Sequence, residues 1–195
     1  QKELSDQEFA KYVHTSGNQF AYFDFAIGGG GGGDAKEVKQ DAKGGGVPAL
    51  ALPRAGGAGG EKLERVVFEL YSSKLPKTCA NFLALCTGSH KSAAGKPLHY
   101  LNTPVHRVVR DGWIQGGDVV DGKGLSGESI YGPTFPDESL VFKHDAPGVL
   151  AMANNGPHSN ASQWYVAMRE LPALDGKRVV FGRVVAGMRT LHAIN

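Results

Sequence analysis

Between residues 104 and 120 the chain reads PVHRVVRDGWIQGGDVV, and two of its side chains could do chemistry: Arg107 and, eight positions on, Gln115. An arginine cannot shed its charge in a protein, and it presents its donors in a rigid, planar fork. It therefore supplies permanent hydrogen-bond donation and no titration. Val105, Val108, Val109 and Ile114 around it read as half-buried strand residues. No carboxylate follows Arg107 before Asp111, and the pair Gly116 and Gly117 is unsuited to a stable strand. A solvated surface arginine beside a turn accounts for the same residues, so the stretch alone leaves both readings open. Metal chemistry finds no support, because no pair or trio of histidines has ligand spacing. A phosphate-binding loop finds little: the glycine-rich segment 28–60 is followed by neither Gly-Lys-Ser/Thr nor an apolar helix.

The bulk properties bound what can hold these residues. A length of 195 residues suggests one domain with decoration, and 41% apolar residues suffice for one sizeable core. A net charge of +2 without a basic run argues against a nucleic-acid partner. No apolar stretch approaches the ~20 residues that span a bilayer, and the polar start QKELSDQEF does not read as a signal peptide, so no membrane is expected. Cys79 and Cys86, seven apart in a helical segment, would lie about 10 Å apart along the axis, too far for a disulfide. They read as small core residues in a reducing, cytoplasmic compartment. On that reading the glycosylation pattern Asn160-Ala161-Ser162 arises by chance.

The pattern along the chain is uneven. Residues 5–14 place Ser5 and Glu8 at capping-box spacing and Phe9, Tyr12 and Val13 on one face, predicting a helix that ends near Gly17. Residues 20–27 alternate as a strand. Residues 28–60 then hold 13 of the 28 glycines, too little apolar surface to offset ordering, which reads as a flexible insertion. A strand is predicted over 64–71, with Val66, Phe68 and Leu70 on one face. A helix is predicted over 74–88, with Pro76 in its first turn, Cys79, Phe82, Leu83 and Cys86 as its stripe and Gly88 as its end. Short strands are expected at 104–109, 113–119, 148–152, 163–168 and 178–185. Together these suggest a barrel or sandwich with a helix over one end. Residues 1–18 read as an N-terminal helical extension and 19–195 as one domain carrying the insertion.

Four blocks, VVFELYSSKLPKTCANFLALCTG, VHRVVRDGWIQGGD, GESIYGPTFPDESLVFKHDAPGVLAMANNGPHSNASQWYV and LDGKRVVFGRVVAGM, resemble successive parts of a cyclophilin, a peptidyl-prolyl cis–trans isomerase. The resemblance covers residues 64–195 almost continuously, and 20–27 is similar to the family's first strand. It implies a mainly β fold: a closed antiparallel eight-stranded barrel capped by two helices, one over 75–86 and one beginning in GMRTLHAIN. A proline-binding groove would lie on the outer face. The family's last, closing strand follows the second helix, whereas this sequence stops at Asn195. The expectation is either a truncated chain or an edge covered by another segment or a partner, since natural sheets avoid unpaired edges.

The resemblance gives Arg107 a task. An X-Pro bond must lose amide resonance to rotate, and a catalyst need only favour the twisted amide over both planar forms. Donors aimed at its carbonyl and prolyl nitrogen, with an apolar clamp on the ring, would do this without any cofactor. By resemblance Arg107 is the catalytic arginine, Gln115 helps to hold it and the substrate, and the backbone of Asn154 grips the substrate chain. Ala153, Asn155 and Gln163 line the adjoining groove; Trp113, Tyr165, Leu174 and Arg178 stand at the proline pocket, and His106 reads as structural. The chain departs from the family at Gly112 (usually phenylalanine), Trp113 (methionine), Tyr165 (phenylalanine), Ala173 (often tryptophan) and Arg178 (histidine). An isomerase acting on proline-containing segments of proteins, with activity retained or reduced, is the expectation. The alternative is a weakly active or inactive structural subunit of a larger assembly such as the ciliary axoneme, where algal radial-spoke cyclophilins are the specific case.

Overall fold

The computed structural model describes residues 6–27 and 62–195. The predicted capping residue Ser5 and the insertion 28–60 lie outside the described residues. Helix α1 (Asp6–Ser16) leads into β1 (Gln19–Ile27); β2 (Lys62–Leu70) pairs antiparallel with it along its whole length. Helix α2 (Pro76–Thr87) follows, then the small ribbon β3 (His90–Lys91) and β4 (Pro97–Leu98). After these come β5 (Val105–Val109), β6 (Trp113–Gly116), β7 (Val149–Met152), β8 (Trp164–Ala167), β9 (Val180–Ala186) and α3 (Met188–Ile194).

Seven strands form one curled antiparallel sheet in the order β1-β2-β9-β7-β8-β6-β5. The mainly β fold is a curled half-barrel: among the described residues no strand joins the edges β1 and β5. The β3–β4 ribbon was not foreseen, because two-residue strands around the Ser92–Lys96 turn carry no alternation. The strand expected over 113–119 stops at Gly116. Gly117 takes φ 88°, a left-handed conformation that a strand cannot continue through, and the Asp118 side chain gathers the next loop.

Strand alternation splits the sheet's two faces. Inward, Ile114, Val166 and Leu150 align across β6, β8 and β7 and join Phe68, Phe82, Phe181 and Val66 in the main core. Phe23 of β1 packs its ring 5.3–5.7 Å from those of Phe68, Phe82, Tyr100 and Trp164. Helix α2 closes one end of the curled sheet by burying Cys79, Phe82, Leu85 and Cys86; burial pushes the Cys79 thiol up to about 12, so it stays a protonated core residue. Helix α3 buries Leu191 and Thr190 and packs on β2. Val108 shares the inward register but is 43% exposed, because β5 is an edge strand with no further strand paired to it among the described residues. Outward, Val149, Ala151, Tyr165, Ala167, Leu171 and Val180 make a second, smaller apolar cluster. The groove is built on that face.

Candidate active site

Pairing register places three of the polar candidates in one row. Arg107 of β5 is opposite Gln115 of β6, Gln115 is opposite Tyr165 of β8, and Tyr165 is opposite Ala151 of β7. All four side chains emerge on the outer face, where β6, β8 and the loops after them enclose a groove of about 620 Å³. Its lining includes every residue named from the sequence: Arg107, Gln115 and Asn154, with Trp113, Ala153, Asn155, Gln163, Tyr165, Leu174 and Arg178. Arg107 is exposed at this wall, its Cζ 5.2 Å from the centre of the Trp113 ring. Stacking on the ring holds the guanidinium while leaving its edge donors available. Among the described residues Arg107 has no carboxylate partner within ion-pair distance.

Gln115 is fixed from two sides. Trp113 Nε1 donates to its Oε1 at 3.3 Å, and its own Nε2 donates to Gln163 Oε1 at 2.8 Å. Gln163 in turn donates from Nε2 to the carbonyl of Ser126 at 2.6 Å, while His106 Nε2 lies 3.1 Å from the same Oε1. A carbonyl oxygen with two lone pairs can accept from both. His106 thus buttresses the amide row, consistent with its structural reading. Asn154 turns its side chain into its own loop, with Nδ2 3.4 Å from Asn160 Oδ1 and Oδ1 3.4 Å from the Gly156 N–H. Its backbone N–H and C=O take part in none of the loop's hydrogen bonds among the described residues, so they remain available to an extended chain.

The apolar wall differs from a simple hydrophobic slot. Tyr165 is buried, and its hydroxyl turns away from the groove to His144 Nε2 at 2.6 Å; His144 Nδ1 lies 2.9 Å from Asp175 Oδ1. Burial pushes the Tyr165 hydroxyl up, outweighing the nearby Arg178, so it stays protonated and donates to Nε2. His144 then donates from Nδ1 to Asp175, whose carboxyl is held low by the His144 backbone N–H and ring. This chain pins the turn Pro172–Leu174, which carries Leu174 into the groove. Ala173 on that turn is exposed and brings no ring. At Gly112 an added Cβ would meet Val109 Cγ1 at 2.8 Å, so the turn as built excludes a larger side chain there without movement of Val109. Trp113 supplies the aromatic wall instead, its ring centre 6.2 Å from that of Tyr165.

Sequence reasoning missed the loop that contributes Gly124, Leu125, Ser126 and Gly127. It is folded by Asp118, 1% exposed, which accepts from the N–H groups of Val120, Asp121, Gly124 and Ser126 and from the Ser126 hydroxyl. Burial alone would raise this carboxyl; the donors outweigh it and hold it at about 2. The available signal was an aspartate followed by a glycine-rich run, GGDVVDGKG, where a short acceptor organises a loop. Asn160, at the glycosylation pattern, is fully buried and donates to Asp137 Oδ1 at 2.7 Å, which leaves it no access to a modifying enzyme. Among the described residues no group of three His, Cys, Asp or Glu side chains could hold a metal ion, and no helix is long and apolar enough to cross a membrane.

Such a groove can hold an extended chain and place fixed donors beside it. Among the described residues that line it there is no nucleophile–base pair for bond breaking. The sequence pattern of the family described as Cyclophilin type peptidyl-prolyl cis-trans isomerase/CLD matches residues 59–195. Among curated proteins the chain is 54% identical over 131 residues to human "Probable inactive peptidyl-prolyl cis-trans isomerase-like 6", covering 67% of this chain and 42% of the human protein. The bovine counterpart of that protein is 54% identical over 129 residues, covering 66% of this chain and 42% of its own length. The Arabidopsis thaliana "Peptidyl-prolyl cis-trans isomerase CYP21-1" is 48% identical over 136 residues, 69% of this chain and 61% of that protein. The match thus spans about two-fifths of the length of the mammalian relatives. In three dimensions the chain is similar to the crystal structure of a Cryptosporidium parvum cyclophilin-type peptidyl-prolyl cis-trans isomerase, with a TM-score of 0.59 and 40% identity over 67% of this chain and 76% of that one.

Proposed function

Because the chain belongs to the cyclophilin-type peptidyl-prolyl cis–trans isomerase family, we propose that it isomerises X-Pro bonds in proline-containing segments of partner proteins. The observation that carries this reading is Arg107, whose guanidinium lies over the Trp113 ring at the groove wall with no hydrogen bond or ion pair among the described residues. Rotation about the X-Pro bond crosses a barrier of about 20 kcal/mol and takes tens to hundreds of seconds uncatalysed. In the twisted amide the prolyl nitrogen regains its lone pair and becomes an acceptor. A permanent donor aimed there stabilises the transition state more than either planar form. In this mechanism Gln115, braced by Gln163, orients the guanidinium and the substrate carbonyl. The backbone of Asn154 takes the peptide chain, and Ala153 and Asn155 line its path. Trp113, Tyr165 and Leu174 receive the ring. No proton changes hands and no cofactor enters.

A second reading has specific support. Gly112 and Ala173 leave the clamp without two side chains that the family resemblance places there, and the mammalian relatives are named probable inactive isomerases. On that reading the groove is a docking site within a larger assembly, in the cytoplasm or the ciliary axoneme. NMR exchange spectroscopy on a short Ala-Pro peptide separates the two. Cis–trans exchange cross-peaks that grow with added protein support the isomerase. Groove resonances that shift with peptide while no exchange appears support the docking module.

A further inference from the structure

Among the described residues the groove is lined by two permanent cations, Arg107 and Arg178, and by no aspartate or glutamate. Of the carboxylates close to the lining in the chain, Asp111 and Glu128 are not among the lining residues, and three others are committed elsewhere. Asp175, three positions before Arg178, is turned to the N–H and Nδ1 of His144 at 2.8 and 2.9 Å. Asp118 and Asp121, below the loop 124–127, are taken up by backbone N–H groups and the Ser126 hydroxyl. Arg178 makes one hydrogen bond among the described residues, from Nη1 to the Lys177 carbonyl at 3.0 Å, and no ion pair. It is only partly exposed. Two like charges sharing a concave surface with low-dielectric walls focus a positive potential that an incoming anion relieves.

Taking the groove as the proline-peptide site, we propose that it selects X-Pro segments bearing an acidic side chain close to the proline, with Arg178 as the specificity-determining residue. Aspartate, glutamate and phosphorylated serine or threonine share the required chemistry, oxygens that a planar guanidinium can pair with in bidentate fashion. Arg178 lines the same cavity as Tyr165 and Leu174, so an anion it meets sits beside the ring those residues receive. Arg107 is engaged by the amide itself, which leaves Arg178 as the cation for the flanking side chain. A lysine in that place meets two cations instead.

The test is an amide-shift titration of the labelled protein with proline peptides that differ only in one flanking residue: Gln, Glu, phosphoserine or Lys. Glu binds about 3- to 10-fold tighter than Gln, phosphoserine tighter still and Lys weaker, with the differences shrinking as salt is raised. In Arg178→Gln the Glu-to-Gln ratio falls to about one, and Arg178→Glu turns the preference toward Lys. Equal affinities for Glu and Gln, or a ratio that survives in Arg178→Gln, overturns the proposal while leaving the groove as the proline site. If no peptide moves a groove resonance, both fall. Should the variants not fold, the salt dependence of the wild-type ratio decides, since a ratio indifferent to salt is not electrostatic.

Discussion

Arg183 on β9 and Arg107 on β5 belong to one sheet and are held in opposite ways. Arg183 donates from Nε to Glu69 Oε2 at 2.8 Å and from Nη2 to Tyr12 Oη at 2.8 Å. Tyr12 donates to Glu69 at 2.6 Å, and Asn18 donates to the other carboxylate oxygen at 2.9 Å. Burial pushes the Glu69 carboxyl up, but these donors together hold it below the usual range. Nε and Nη2 of this fork are spent on Glu69 and Tyr12, and their work is to tie α1 to β2 and β9. Arg107 has a ring beneath it, lines the groove and has no hydrogen bond or ion pair among the described residues. The residue type is the same; what separates the anchor from the groove-lining cation is whether a carboxylate is supplied.

The comparison breaks most sharply under truncation. Arg107→Ala removes an electrostatic donor and lowers kcat/KM by about 10- to 1000-fold, with little change in melting temperature. A variant that melts early but turns over normally would make Arg107 the anchor and reverse the contrast. Arg183→Ala does the converse. Loss of charge-assisted hydrogen bonds to a buried carboxylate, discounted for the half-exposed arginine, costs about 1–2 kcal/mol. At about 2–4 °C per kcal/mol for a chain of this size, calorimetry records a fall of about 2–8 °C, while kcat/KM stays within about twofold.

A smaller effect concerns the loop that completes the groove. The Asp118 carboxyl is held at about 2, below the ordinary value near 4. A depressed carboxylate contributes stability that is full above the ordinary value and is lost as pH falls from about 4 toward about 2. The amide protons of Val120, Asp121 and Gly124, which its oxygens receive, should titrate with a midpoint near 2. A midpoint near 4 would mean that the loop does not depend on this residue.

Much of this was legible in the sequence because it is local or periodic. Alternation located β1 and β2, and a Pro76 start with an apolar stripe located α2. The motif blocks brought together Arg107, Gln115, Asn154 and their neighbours, which the sheet then aligns in a single groove. What stayed hidden depends on partners distant in the chain. The Tyr165–His144–Asp175 chain joins residues 21 and 31 positions apart, and nothing in any one segment announces it. Val108 repeats the inward pattern of Val105 and Ile114, yet only the sheet order reveals that it stands on an edge. Leu125 and Ser126 enter the groove because Asp118 folds the loop back. The pairing of Arg183 with Glu69 could not be read either, since the two are 114 positions apart.

The most direct measurement follows the two guanidinium groups in one sample. In protein labelled with nitrogen-15 at arginine, the Nε–H resonance of Arg183 is protected before any ligand is added, and that of Arg107 exchanges with water. Saturation with a proline peptide should shift and protect the Arg107 Nε–H while leaving Arg183 unmoved. A peptide that occupies the groove and leaves the Arg107 Nε–H as solvent-exposed as before would contradict the assignment of this arginine to the substrate.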